Sequence, residues 1–120
     1  MPISTKVTDD IVFNAVDETT TSREMAEYIS AHVAEWANHG VLWNLCKATL
    51  AGITPANISE MKHIVANTSS MPTGIKTAIY VESPVGFGLA RMFELLTEGN
   101  GKYYIRVFRN QEDAIAWLME

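Results

Sequence analysis

The sequence predicts a single-domain α/β fold: one mixed, mostly parallel β-sheet with packed helices, in the order β-β-α-β-α-β-α-β-α. Three observations carry this. The last quarter of the chain reads as a strand, a tight turn and a short apolar-faced helix. The interior run 41–46 (V-L-W-N-L-C) is almost continuously apolar, as strands covered on both faces are, and the run 76–81 (K-T-A-I-Y-V) reads as the next buried strand. Each run is followed by a hydroxyl residue before proline, Thr54-Pro55 and Ser83-Pro84. That pair supplies an N-cap and a first helical residue. Strands alternating with helices give a largely parallel sheet with right-handed crossovers.

The elements follow in order. Residues 3–8 and 11–16 are short extended runs, and Asp9-Asp10 between them suits a hairpin turn, making an antiparallel edge. Thr19, Thr20 and Thr21 offer N-caps for a first helix over about residues 22–38, with Met25, Ile29, Val33 and Trp36 on one face and Glu24, Glu27 and Asn38 turned away. Gly40 suits a left-handed cap at its end. The strand at 41–46 comes next. A second helix opens at Thr54-Pro55 and buries Ile58, Met61, Ile64 and Val65. After the turn-rich stretch 69–74 comes the strand at 76–81. A third helix opens at Ser83-Pro84 with an apolar set of Phe87, Leu89, Met92, Phe93, Leu95 and Leu96, and residues 99–101 end it. Residues 103–108 (Y-Y-I-R-V-F) have the aromatic and β-branched character of a strand. Asn110 then caps the last helix, with Asp113 in the acidic position of a capping box and Ala114, Trp117 and Leu118 at helical spacing.

Composition narrows the function classes. The chain has 120 residues, 48% apolar and 19% charged, which is a globular balance. A chain of that size buries roughly two-thirds of its unfolded surface and needs no disulfide or metal to fold. The net charge is −5, and the nine Lys and Arg residues form no cluster. Binding to nucleic acid or to an anionic membrane, both of which need a basic surface, is not expected. The single cysteine, Cys46, allows no intrachain disulfide. With no apolar signal-peptide core and no apolar run long enough to span a membrane, the expectation is a soluble cytoplasmic protein.

The pattern resembles the SpoIIAA-like (STAS/SEC14-like) family of small bacterial α/β proteins. The resemblance spans nearly the whole chain. Asn44-Leu45-Cys46 carries it at the end of the buried strand, residues 88–93 (G-L-A-R-M-F) in the third helix, and Val107-Phe108-Arg109 leading into residues 114–118 (A-I-A-W-L). It implies a STAS-like domain, non-enzymatic, that acts in regulation or binding. Anti-sigma-factor antagonists of this kind switch partners through a phosphorylated serine in an Asp-Ser pair, where the central strand turns into the next helix. Here that stretch is residues 50–55 (L-A-G-I-T-P). The Asp-Ser pair is absent, Asn44 stands where an aspartate is expected, and Thr54 is the nearest hydroxyl. Related lipid-carrier domains use an apolar cavity between helices and sheet.

Candidate sites each have a plainer reading beside them. Thr54 is a phosphorylation candidate, since a phosphate there would face a helix N-terminus; a capping hydroxyl explains it equally. Ser83, Gly86 and Gly88 open the third helix after a strand, where an anion would find free N–H groups; Arg91, about one turn further on, either reaches it or is a solvated or ion-paired arginine. The stretch lacks the third glycine of a dinucleotide fingerprint. Its plainer reading is a helix start packed on the sheet. Trp43, Met61, Phe87, Met92 and Phe93 form an adaptable set for an apolar ligand, or else ordinary core. His32, Glu35 and His39 share a helix sector but make no zinc motif, and no metal or other cofactor is expected. Cys46 and His63 would have to meet in space to act as nucleophile and base, which their spacing does not indicate. Glu24, Glu27, Glu35, Glu94 and Glu98 fall on predicted solvent faces.

The leading expectation is a non-enzymatic binding or regulatory module. It would act through a protein partner, or through a small apolar or anionic ligand near the N-termini of the second and third helices. The rival is a small carrier of an apolar, lipid-like ligand, and an enzyme using Cys46 or the histidines ranks last. The edge strands would also permit a homodimer by pairing between chains.

Overall fold

The computed structural model describes residues 3–8, 10–36, 39–47, 54–66, 75–97 and 103–120. The elements are β1 (Ile3–Val7), β2 (Ile11–Val16), α1 (Ser22–His32) continued by a 3₁₀ turn (Val33–Trp36), β3 (Gly40–Asn44), α2 (Pro55–Ala66), β4 (Ile75–Tyr80), α3 (Pro84–Thr97), β5 (Tyr103–Phe108) and α4 (Gln111–Leu118). The five strands form one sheet in the order β1-β2-β3-β4-β5. β1 runs antiparallel to β2, and the other three pairings are parallel. Among the described residues this is a single α/β domain with a mostly parallel five-stranded sheet and four α-helices. None of the described helices is long and apolar enough to cross a membrane.

The sheet's pleat divides the core into two layers. On one face, Val12, Val16, Val41 and Trp43 pack under Met25, Val33 and Trp36, and Ile79 and Val81 pack with Ile58, Ala90 and Phe93. Met61 and Leu45 touch both groups, so the α1, α2 and α3 sides form one continuous layer. On the other face, Ile11, Leu42 and Ala78 pack under Ala114 and Leu118 of α4. This explains the unbroken apolar run: in β3, Val41 and Trp43 face one layer while Leu42 faces the other. The hairpin turn at Asp9 lies outside the described residues, but Thr8 closes it, its N–H donating to the Ile11 carbonyl at 2.9 Å.

Local chemistry sets the helix starts. Thr21 caps α1 through a complete capping box with Glu24. Thr54 and Asn57 exchange bonds at the start of α2: Asn57 N–H donates to Thr54 Oγ1 at 3.2 Å, and Thr54 N–H to Asn57 Oδ1 at 2.9 Å. Asn110 accepts the Asp113 N–H at 3.2 Å. Asp17 holds the turn before α1, accepting both the N–H and the hydroxyl of Thr19, at 2.8 and 2.6 Å. Those bonds hold its carboxyl below the usual range.

Three expectations need correction. The first helix stops at His32 and tightens into a 3₁₀ turn, although Val33 and Trp36 keep their buried places. Gly40 is not a left-handed helix cap; it is the first residue of β3, where its hydrogen lets Leu118 approach. A Cβ at that position would lie 3.1 Å from Leu118 Cβ and Cδ2. Leu95, assigned to the apolar face of the third helix, is 58% exposed; Ala90 takes a buried place on that helix instead. The side chains of Ile64, Val65 and Leu96, together with the stretches 48–53, 67–74 and 98–102, lie outside what the structure describes.

Candidate functional site

Because α2 follows β3 and α3 follows β4, both helices start on the edge of the sheet where the parallel strands end. In open α/β sheets ligands bind outside the carboxyl ends of the strands where strand order reverses, and the order β1-β2-β3-β4-β5 has no such reversal among the described strands. At these strand ends the chain turns through Asn44, Cys46, Tyr80, Glu82, Ser83 and Arg109. Asn44 Oδ1 accepts the Cys46 N–H at 3.0 Å, fixing the turn out of β3. Leu45 N–H donates to the Tyr80 carbonyl at 2.8 Å, and Val81 N–H to the Phe108 carbonyl at 3.0 Å, tying the three strand ends together. Tyr80 donates its hydroxyl to Glu82 Oε2 at 2.9 Å. Arg109 donates to the Glu82 carbonyl at 3.2 Å, and its guanidinium lies 5.6 Å from the centre of the Phe87 ring. A carboxylate, a guanidinium, a phenol and a thiol thus meet on one rim.

On this rim the Cys46 thiol and the Tyr80 phenol both hold their protons more tightly than usual. Burial pushes the Cys46 thiol up, only partly opposed by its hydrogen bond to Tyr80. A thiol so placed is a poor nucleophile at neutral pH. His63 is exposed on α2, while the groups beside the thiol are Tyr80 and Glu82. The Glu82 hydrogen bond, chiefly, with burial second, pushes Tyr80 up to about 12. A raised folded-state value means the folded chain holds this proton more tightly. Its stabilising effect is complete below pH ~10, the ordinary tyrosine value, and is lost as pH rises toward about 12. Thermal melts across that alkaline window are expected to show a decline in stability that is shallower in Tyr80→Phe; equal slopes would refute the coupling.

Ser83, Gly86 and Thr54 lie at helix starts on this rim. Ser83 Oγ accepts the Gly86 N–H at 3.0 Å, and Thr54 is exposed and engaged in its cap. Gly86 is buried. Gly88 is exposed, and a Cβ placed on it would meet no atom within 4 Å, so no neighbouring backbone approaches it closely. Replacing it with alanine in this helix interior is expected to add about 0.5–1 kcal/mol of stability. A chemical-denaturation midpoint that falls instead would show that the glycine is required. Arg91 pairs with Glu94 one turn on. Glu94 is not a solvent-face acid. Its Oε1 accepts the Val107 N–H of edge strand β5 at 3.1 Å, covering a donor that an edge leaves open.

The apolar set divides between the core groups. Trp43 is 5% exposed beneath α1, Phe93 is 8% exposed, and Met61, Phe87 and Met92 are half-buried around Ile58 and Ile79. The structure brings Phe87, Met92, Phe93 and Met61 together, with Trp43 reaching Met61 through the adjoining group. His32 Nδ1 and Glu35 Oε2 pair at 3.2 Å. Among the described residues, no three His, Cys, Asp or Glu side chains converge as metal ligands.

The sequence reading missed Tyr80, Glu82 and Arg109, whose meeting depends on β4 and β5 being neighbours. Compared with known proteins, the chain matches no family model, no curated protein and no solved structure.

Proposed function

We propose that this chain is a non-enzymatic binding or regulatory module whose recognition surface is the rim formed by the ends of β3, β4 and β5 and the starts of α2 and α3. One observation carries the reading: Cys46, Tyr80, Glu82 and Arg109, from three different strand ends, are cross-bonded on that rim. A network of this kind orients hydrogen-bonding groups toward a partner. It does not supply an activated nucleophile, because the thiol is held protonated. The resemblance to SpoIIAA-like proteins points to the same class, with Thr54 as the hydroxyl nearest the place of their phosphorylated serine.

Native mass spectrometry of gently purified protein, compared with the denatured mass, tests this. Non-covalent mass retained by the wild type and lost in an Arg109→Ala, Glu82→Gln double variant supports the rim. A covalent increment of one phosphate mapped to Thr54 supports regulation there. A bare chain in every sample, with no partner crosslinked to the rim, sinks the proposal.

The carrier reading rests on Met61, half-buried where the two groups of one core layer meet. An apolar ligand between α2 and the sheet would touch it, and methionine repacks readily around such a guest. Met61→Ala should then alter uptake of a bound lipid-like molecule more than it alters the denaturation midpoint. A loss of stability alone assigns Met61 to the core.

A further inference from the structure

A second place in the molecule holds a buried polar group with unused capacity. Asn14, in the middle of β2, is 1% exposed and sits in register between Thr5 of β1 and Trp43 of β3. Thr5 Oγ1 donates to Asn14 Oδ1 at 2.7 Å, and Thr5 also hydrogen-bonds the Tyr28 hydroxyl. Since Thr5 gives its proton to Asn14, Tyr28 is the donor in the second bond. The chain Tyr28 to Thr5 to Asn14 fixes the amide oxygen toward β1 and leaves Nδ2 outside that chain of bonds. That Nδ2 is buried and has no hydrogen-bond partner among the described residues. Buried donors are nearly always satisfied, because leaving one unpaired forfeits its hydration without return.

The surroundings of the amide are aromatic. Tyr28 lies 6.2 Å from Trp36 and 6.3 Å from Trp43, and the two tryptophans are 6.3 Å apart, edge to face. Trp36 and Trp43 are anchored in the core. Tyr28 is the outermost of the three: it is half-buried, its hydroxyl bond is at the surface, and its ring rests on His32 at 4.3 Å. A ring that displaces Tyr28 would meet Trp36 and Trp43 and set an acceptor against Asn14 Nδ2. The acceptor must be uncharged. His32 at the end of α1 and Glu35 in the 3₁₀ turn pair with each other, and an unpaired carboxylate buried beside Asn14 would be heavily penalised.

We propose that Asn14, roofed by Tyr28 and walled by Trp36 and Trp43, forms a binding site for a small neutral aromatic carbonyl compound. This site is separate from the rim and does not depend on it.

The test uses benzamide, benzoate and toluene as probes of the whole chain. Benzamide is expected to move the Asn14 side-chain amide resonance and to alter tryptophan fluorescence, and to bind more tightly than benzoate or toluene. Asn14→Leu is expected to melt a few degrees higher, because it removes an unsatisfied donor, yet to bind benzamide at least roughly tenfold more weakly. Toluene or benzoate binding as well as benzamide would overturn the proposal. So would an Asn14 resonance unmoved by millimolar benzamide, or an Asn14→Leu chain less stable than the wild type.

Discussion

Replacing Trp43 with alanine is expected to cost about 3–5 kcal/mol of folding stability, the range for deleting a large buried side chain. Trp43 is buried on β3, and its ring packs edge to face with Tyr28 and Trp36. Removing it strips the centre from the layer that joins α1 to the sheet. A domain with ordinary stability has only about 5–15 kcal/mol in total, on the order of two to three times this loss. The variant should unfold at a much lower urea concentration, with an unchanged dependence on denaturant if the unfolded state is unaffected. The same variant separates core from cavity. A residue lining a pre-formed apolar cavity has fewer packed neighbours to lose, so a cost below about 1 kcal/mol would show that Trp43 faces an open space and would strengthen the carrier reading.

How much of this was legible in the sequence depends on the range over which each signal acts. Thr54-Pro55, Ser83-Pro84 and Asn110 announce helix starts through their immediate neighbours, and the structure has helices starting at each. The parallel sheet was legible because covering both faces of a strand leaves its mark in an unbroken apolar run such as V-L-W-N-L-C. The end of α1 was not, since Val33 and Trp36 keep the same apolar phase in a 3₁₀ turn as in an α-helix. Leu95 was misassigned because periodicity cannot say how wide the buried stripe is. Asn14 reads as a single polar letter inside I-V-F-N-A-V, and only its register against Thr5 and Trp43 makes it notable. Glu94 looked like a solvent acid because its partner, Val107, lies on a strand whose place at the sheet edge the sequence does not give. The rim network was illegible for the same reason: Tyr80 and Arg109 meet through strand order, a property of the whole chain. Residues that act locally can be read from local sequence, whereas sites assembled from strand ends depend on topology.

Gly40 shows how one letter carries two meanings, and it supports the second large prediction. Glycine after a helix suggests a left-handed cap, but here the requirement is space. A methyl at Gly40 would already press on Leu118, and valine adds two more carbons on a strand whose backbone is held by the Asp10 carbonyl, which accepts the Gly40 N–H at 2.9 Å. Leu118 cannot simply move away, since it is buried with Ile11, Leu42 and Ala78 as the anchor of α4. Gly40→Val is therefore expected to cost about 1–3 kcal/mol through overpacking, with the strain concentrated in α4. Hydrogen exchange should rise first in residues of α4, while α1, on the opposite face, keeps its protection. Coupling to Leu118 is the decisive measurement. If the clash is the cause, Gly40→Val placed in a Leu118→Gly background should cost less than it does in the wild type, because removing both Cβ and Cδ2 of Leu118 leaves room for the new methyls. If the two costs simply add, the glycine is needed for its backbone and not for the space beside it, and the packing account of α4 on this face would have to be withdrawn.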